Sequence, residues 1–243
     1  MSQAIHFWAV VEDVVRHSTD MASYRLHAKQ KLPRVRPGQF IQLSIEPYVA
    51  GSFWPESRAF SIANAVADRH TLDLTISRQG TYTSRILKEV KAGATVWGKG
   101  PYGEFCIDRS MGGSAILIAG GSGITPFCAI MDAALTGGTL SMDSVKLYYG
   151  ARSTSLLVHR PLADRCAARF PGFQVKYFAE MIEEPGDVRQ GPIDLNEILA
   201  ASQPEPGTKF FLSGPRKMID AFRQRLVCEF GIPNDCVLSD DWE

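Results

Sequence analysis

The hydrophobic pattern changes once along the chain. Over the first hundred or so residues, apolar and polar positions alternate in short stretches rich in β-branched and aromatic residues. These stretches are Ile5–Val15, Ser23–Ala28, Gln39–Ile45, Arg58–Ala63, Thr71–Ser77 and Thr95–Lys99. Turn-forming segments such as RPGQ (36–39) and ANAVADRH (63–70) separate them. Alternation with a period of two places successive side chains on opposite faces of a strand. Six such strands predict a small antiparallel barrel. One helix interrupts them, beginning near Thr83 and running to about Val90.

Beyond a Gly-containing linker, DRSMGG (108–113), strands become continuously apolar and alternate with helices. Strands are expected at Ala115–Ala119, Val145–Tyr149, Phe173–Phe178, Lys209–Leu212 and Cys236–Leu238. Helices are expected at Ile124–Leu135, closed by Gly137, at Ser155–Phe170, capped by Ser153 or Thr154, and at Leu195–Ala201. A last helix starts at Pro215, carries Met218, Ile219, Phe222, Leu226 and Phe230 on one face, and stops at Gly231. Near-continuous apolar strands alternating with helices mean a parallel sheet covered on both faces. The expected architecture is therefore a six-stranded antiparallel barrel, residues 1–108, followed by a parallel-sheet α/β domain, residues 109–243.

Composition narrows the function classes. With 45% hydrophobic and 21% charged residues among 243, the chain is globular. Its 26 Lys+Arg balance 26 Asp+Glu, so no basic excess points to nucleic acid. No apolar run is long enough to span a bilayer, and the N-terminal MSQAIHFWAVVEDVV lacks a secretory signal pattern. The five cysteines (106, 128, 166, 228 and 236) are scattered, with no CxxC, so zinc and an in-chain iron–sulfur cluster both lack ligands. Each is expected to be a small buried hydrophobe, and reduced thiols fit a cytoplasmic protein.

Candidate chemistry sits at strand ends. In LIAGGSGITPF (117–127) an apolar strand runs into glycines and then a helix. This brings backbone N–H groups to an anion with no Cβ in the way, or simply makes a tight turn. The segment is neither GxGxxG nor a Walker P-loop, which disfavours nucleoside triphosphates. In RAFSIAN (58–64), Arg58 and Phe60 share a strand face, a cation beside an aromatic ring, while Ser61 adds a hydroxyl. In QGTYTSRIL (79–87), Gly80 precedes hydroxyls at a helix start, which is a second anion-accepting N-terminus or an ordinary cap. GKGPYGEF (98–105) and FLSGPRKMI (211–219) are strand–Gly–Pro junctions.

In this order and spacing, the landmarks resemble the ferredoxin–NADP+ reductase-like flavoproteins, including the reductase components of bacterial oxygenases. The resemblance covers nearly the whole chain. It rests on the R-x-[YF]-[ST] strand, the Gly–hydroxyl helix start, GPxGxF, GGxGxTP, the YGxR strand end at 149–152 and the [CS]GPxxM junction. It implies an FAD-binding barrel and an NAD(P)-binding α/β domain. Arg58 would hold the FAD pyrophosphate, Phe60 would lie against the isoalloxazine and Ser61 would bond flavin N5. Gly80, Thr81, Thr83 and Ser84 would bind the pyrophosphate, with Ala59, Ile76, Ser77 and Tyr82 completing the flavin side. Gly120, Gly121, Gly123, Thr125 and Pro126 would line the pyridine-nucleotide site, with Gly150 and Arg152 at the neighbouring strand end. Ser213, Gly214, Pro215 and Met218 would form its other wall. Ser61, Thr125 and Ser213 would be the residues nearest the transferred hydride.

The resemblance implies an FAD-containing NAD(P)H reductase that hands electrons to a separate ferredoxin, iron–sulfur or oxygenase component. Ser213 stands where many members carry Cys, next to the nicotinamide. NADPH-specific members place Ser-Arg after the third strand of the second domain, whereas here Phe178 is followed by Ala179-Glu180. A carboxylate repels a 2′-phosphate, so NADH is favoured over NADPH, with Arg152 as the countervailing cation. Trp242, near the C-terminus, would stack on the isoalloxazine. Neither His70 nor His159 is required. Two other readings remain: a flavin reductase that releases free flavin, and a non-catalytic dinucleotide-binding subunit.

Overall fold

In the computed structural model, which describes residues 3–107, 112–140 and 142–240, the chain divides into two units, Met1–Cys106 and Ile107–Glu243. Of the expected linker, residues 108–111 lie outside the described residues.

The first unit consists of β1 (Ile5–Ser18), β2 (Met21–Ala28), β3 (Phe40–Ser44), β4 (Arg58–Ser61), β5 (Thr71–Ser77), helix α1 (Thr81–Glu89) and β6 (Thr95–Tyr102). All six strands pair antiparallel in the order β4-β3-β6-β1-β2-β5. The two ends of the sheet nearly meet. Just after β4, Ala63 N–H donates to Asp73 O at 2.7 Å, and Asn64 bonds Thr71 O and Asp73 N. The expected barrel is therefore present. In β2, Ala22, Tyr24, Leu26 and Ala28 point inward while Arg25 faces out, the alternation that commits one face to the core. Helix α1 adds Tyr82, Ile86 and Leu87 to that core, each full burial contributing roughly 1.5–3 kcal/mol. It begins two residues earlier than its hydroxyl-rich start suggested, directly after Gly80.

The second unit holds β7 (Ser114–Gly120), α2 (Thr125–Gly137), β8 (Ser144–Ser153), α3 (Arg160–Arg169), β9 (Phe173–Met181), β10 (Arg189–Gln190), α4 (Leu195–Ser202), β11 (Lys209–Ser213), α5 (Arg216–Gln224) and β12 (Val237–Ser239). The sheet is parallel throughout, in the order β10-β9-β8-β7-β11-β12. β7 is central, and Ala115 to Gly120 are all buried, as a strand covered on both faces requires. From β7 the chain winds outward through β8, β9 and β10 and then returns to β11 on the other side. The ends of β7 and β11 thus flank a topological switch point, where ligands of such sheets bind.

Several local expectations are corrected. The helix expected over 155–170 is a 3₁₀ turn at Thr154–Leu156 followed by α3, which starts at Arg160. Pro161 sits in the first turn of α3, where its missing N–H leaves no intrahelical bond unmade, whereas a helix running from 155 would place it in the interior, where proline breaks the ladder. Neither Ser153 nor Thr154 caps this helix. Thr154 Oγ1 accepts from Glu183 N–H, and Ser153 Oγ bonds Ser155 Oγ. The last helix is regular only to Gln224, then widens into a π turn at Arg225–Glu229. That extra residue per turn rotates the following positions, so Leu226 stays buried while Phe230 is 41% exposed. Cys228 is also exposed, unlike the other four cysteines. The two-residue edge strand β10 consists of exposed Arg189 and Gln190 and so carries no apolar signal in the sequence.

Candidate functional site

The first unit brings RAFS beside the start of α1. In β4, Arg58, Ala59, Phe60 and Ser61 pair with Leu43, Gln42, Ile41 and Phe40 of β3. The Arg58 guanidinium lies over the Tyr82 ring, 4.9 Å from its centroid, and pairs with Glu56 at 3.0 Å. Tyr82 belongs to the first turn of α1, so a strand cation and a helix N-terminus converge. Phe60 is half-buried against the barrel core, and Ser61 is half-buried at the end of β4. At the helix start, Thr83 Oγ1 accepts from Gln79 N–H and Gly80 N–H, at 2.8 and 3.1 Å, and Ser84 Oγ donates to Gly80 O. These hydroxyls close the cap, while Thr81 is exposed. A Cβ at Gly80 would meet nothing within 4 Å. Ser77 Oγ, at the end of β5 and close before Gly80, is buried with no hydrogen-bond partner, and Ile76 beside it is buried in the core.

Glu46, Glu56 and Arg85 join this cluster without any sequence signal. Tyr82 Oη accepts from Ile45 N–H at 3.0 Å and lies 2.9 Å from Glu46 Oε2 and 2.8 Å from Glu56 O. Its single proton serves one of those two acceptors at a time. Arg85 Nη1 donates to Glu46 Oε1 at 2.8 Å. Partial burial works against the Glu46 carboxylate, but the bonds from Arg85 and Tyr82 outweigh it and hold its pKa below the ordinary value. The partners are remote in sequence, so only the fold reveals them.

In the second unit, β7 delivers Gly120 and Gly121 to a 3₁₀ turn, Gly121–Ile124, which runs into α2 with Pro126 in its first turn. The glycines prove to have two different physical reasons. A Cβ on Gly123 would fall 2.4 Å from Ser213 C, Ser213 O and Gly214 N. One on Gly120 would meet Pro215 Cδ at 2.8 Å and Met218 Sδ at 3.0 Å. One on Gly214 would meet Gly120 N at 2.9 Å. These three glycines let the GGSG turn and the SGP turn touch. Gly121, with φ +56° and open space around it, is required by its backbone conformation. Gly150 likewise makes room for Ile193, 2.5 Å from its would-be Cβ.

Thr125 and Ser213 are each 3% exposed. Thr125 Oγ1 donates to Ser122 O, and Ser213 Oγ donates to Asp240 Oδ2 at 3.3 Å. Asp240 lies after β12 and carried no motif. Arg152 and Glu180 are exposed and lie at matching register positions, between the pairs Ala151↔Ala179 and Ser153↔Met181. The expected cation and the expected carboxylate are thus neighbours. Trp242 lies outside the described residues. His70 stacks on His27 with ring centroids 5.5 Å apart, a packing role. Among the described residues, no cluster of His, Cys, Asp and Glu could hold a metal, and no helix is long and apolar enough to cross a membrane.

Residues 9–107 match the family described as Oxidoreductase FAD-binding domain, and residues 117–224 the family described as Oxidoreductase NAD-binding domain. The chain is 32% identical over 205 residues to the phenol 2-monooxygenase reductase component DmpP of Pseudomonas sp. (strain CF600), covering 81% of this chain and 55% of that protein. It is 25% identical to ferredoxin–NADP reductase B of Sorangium cellulosum (strain So ce56), covering 81% and 80% respectively. The chain spans just over half the length of the first relative. The crystal structure of Amycolatopsis cytochrome P450 reductase GcoB superposes with a TM-score of 0.80 at 23% identity, over 100% of this chain and 71% of that one, which establishes a common fold.

Proposed function

Because the chain belongs to the ferredoxin–NADP+ reductase-like flavoproteins, with an FAD-binding domain followed by an NAD-binding domain, we propose that it is an FAD-containing NADH reductase serving a separate electron-accepting protein. The observation that carries this reading is the convergence of Arg58 with the N-terminus of α1 through Tyr82. A guanidinium and a helix N-terminus are complementary to a pyrophosphate. The open space at Gly80 admits one at close range.

Bound FAD would supply a two-electron acceptor for hydride that can release electrons singly. The protein's part is positional. Arg58, Gly80, Thr81, Thr83 and Ser84 would hold the pyrophosphate, and Ala59, Ile76, Ser77 and Tyr82 would shape its surroundings. Phe60 would give the flavin ring an apolar neighbour, and Ser61 a hydroxyl near N5. On the second unit, Gly120, Gly121, Gly123, Thr125 and Pro126 would face the nicotinamide nucleotide from one side. Ser213, Gly214, Pro215 and Met218 would face it from the other, with Gly150 beneath. Asp240 would orient the Ser213 hydroxyl. No proton has to be moved by a side chain for hydride transfer, so effective geometry is the main requirement. The acceptor would be a ferredoxin or the iron–sulfur or oxygenase component of a multi-protein system, as the relatives' names suggest.

The test is direct. Purified protein should be yellow with bound FAD, and NADH should bleach the colour anaerobically. A colourless protein that takes up no FAD would overturn the proposal. Dinucleotide preference is a separate expectation. Glu180 would repel a 2′-phosphate, and its neighbour Arg152 would be partly neutralised by it. At ~1 kcal/mol per exposed charge pair at 4 Å, Glu180→Arg should raise the NADPH-to-NADH ratio of kcat/KM by about tenfold or more. Steady-state ratios that stay put would move the adenosine-ribose site elsewhere.

A further inference from the structure

We propose that the loop joining β3 to β4, residues 45–57, seats the adenosine half of FAD, with the Phe53 ring stacked on the adenine. The inference rests on the flavin reading above and adds a subsite to it. Phe53 is 99% exposed, more than any other large hydrophobic side chain among the described residues, and Val49 of the same loop is exposed too. A phenyl ring gains free energy when a flat apolar surface covers it and removes it from water. Ser52 closes a turn on Val49, its N–H donating to Val49 O at 3.0 Å. Behind the tip, Trp54 Nε1 donates to Ser57 Oγ at 3.0 Å, and Tyr48, Trp54 and His6 form an aromatic cluster with centroids 4.6–5.2 Å apart. The base of the loop is clasped to α1 by Tyr82 Oη against Glu56 O and by Arg85 on Glu46. Phe53 is therefore an exposed ring on a braced support.

Direction identifies the occupant. Along β4, Ser61 and Phe60 mark the flavin-ring end and Arg58 the pyrophosphate end. Continuing the same way leads through Glu56 into this loop. Since Glu56 O lies 2.8 Å from Tyr82 Oη and Arg58 rests on the Tyr82 ring, the loop borders the phosphate position itself. The arm leaving the pyrophosphate away from the flavin ring carries a flat, uncharged purine. An exposed aromatic ring is what such a base stacks on, whatever its sequence of substituents.

FMN lacks the adenosine arm, which makes it the control. Deflavinated Phe53→Ala, Phe53→Trp and unaltered protein are titrated with FAD and with FMN, following flavin fluorescence. The alanine variant should lose about tenfold in FAD affinity, by the loss of one stacked base, with FMN affinity unchanged, and the tryptophan variant should keep FAD binding. Unchanged FAD affinity in Phe53→Ala, or an equal loss for both flavins, overturns the inference. So does a loss of self-association or of binding to the acceptor protein with FAD affinity intact, because the ring would then be a docking contact. If the unaltered protein binds neither flavin, the failure lies in the functional reading itself and is recognised as such.

Discussion

Arg58→Ala will release FAD, weakening its binding by more than tenfold while leaving the fold in place. The guanidinium is half-exposed and packs on Tyr82 rather than in the core, so its removal opens no cavity in the barrel. What disappears is a charge-assisted hydrogen bond to the pyrophosphate, on the order of 1.5–3 kcal/mol, which is roughly 10- to 150-fold in affinity. Arg58→Lys should recover only part of this, because an ammonium cannot reproduce the planar fork. Equilibrium dialysis reads the result, and a mutant with wild-type FAD affinity would remove Arg58 from the site. Glu56, 3.0 Å from the same guanidinium, is its counter-ion in this structure. A pyrophosphate would have to share or displace that contact, which keeps the expected loss nearer the lower end.

Gly123→Ala should have the second large effect, confined to the dinucleotide. Its added Cβ would lie 2.4 Å from backbone atoms of Ser213 and Gly214, and backbone cannot swing aside as a side-chain tip can. The GGSG and SGP turns must then separate, at a cost of about 1–3 kcal/mol or more for overpacking. Both walls of the proposed nucleotide site would shift together. The expected result is a 10- to 100-fold fall in kcat/KM for NADH with FAD content unchanged, since the altered atoms all belong to the second unit. Gly137→Ala is the matched control, because a Cβ there meets nothing within 4 Å and φ is ordinary. If Gly123→Ala turns over NADH like the unaltered protein, the close approach of the two turns is not what the reaction needs.

Much of the fold was legible in the amino-acid order because its signals are local. Period-two alternation in MASYRLHA and the continuous apolar run SAILIAG distinguish a barrel strand with one wet face from a strand covered on both. The Gly-containing segments after β5 and β7 were readable as turns leading into helices, since turn chemistry is written in adjacent residues. Errors fell where a local signal met a competing one. The hydroxyls at 153–155 suggested a helix cap, but Pro161 postponed the helix, and a π turn carried Phe230 out of its expected face.

The partners of each motif were decided only by tertiary structure. The sequence marks Gly120 and Gly123 as turn residues. Strand order alone sets β7 beside β11, and so gives those glycines a second backbone to make room for. The same holds for Tyr82, whose place in a Gly–hydroxyl helix start reveals nothing of Glu46, Glu56 or Arg58 gathered round it. A sequence determines which residues alternate, turn and cap, because those choices depend on neighbours along the chain. Which surfaces then touch depends on how strands are ordered and twisted, a property of the whole sheet that no window of residues contains.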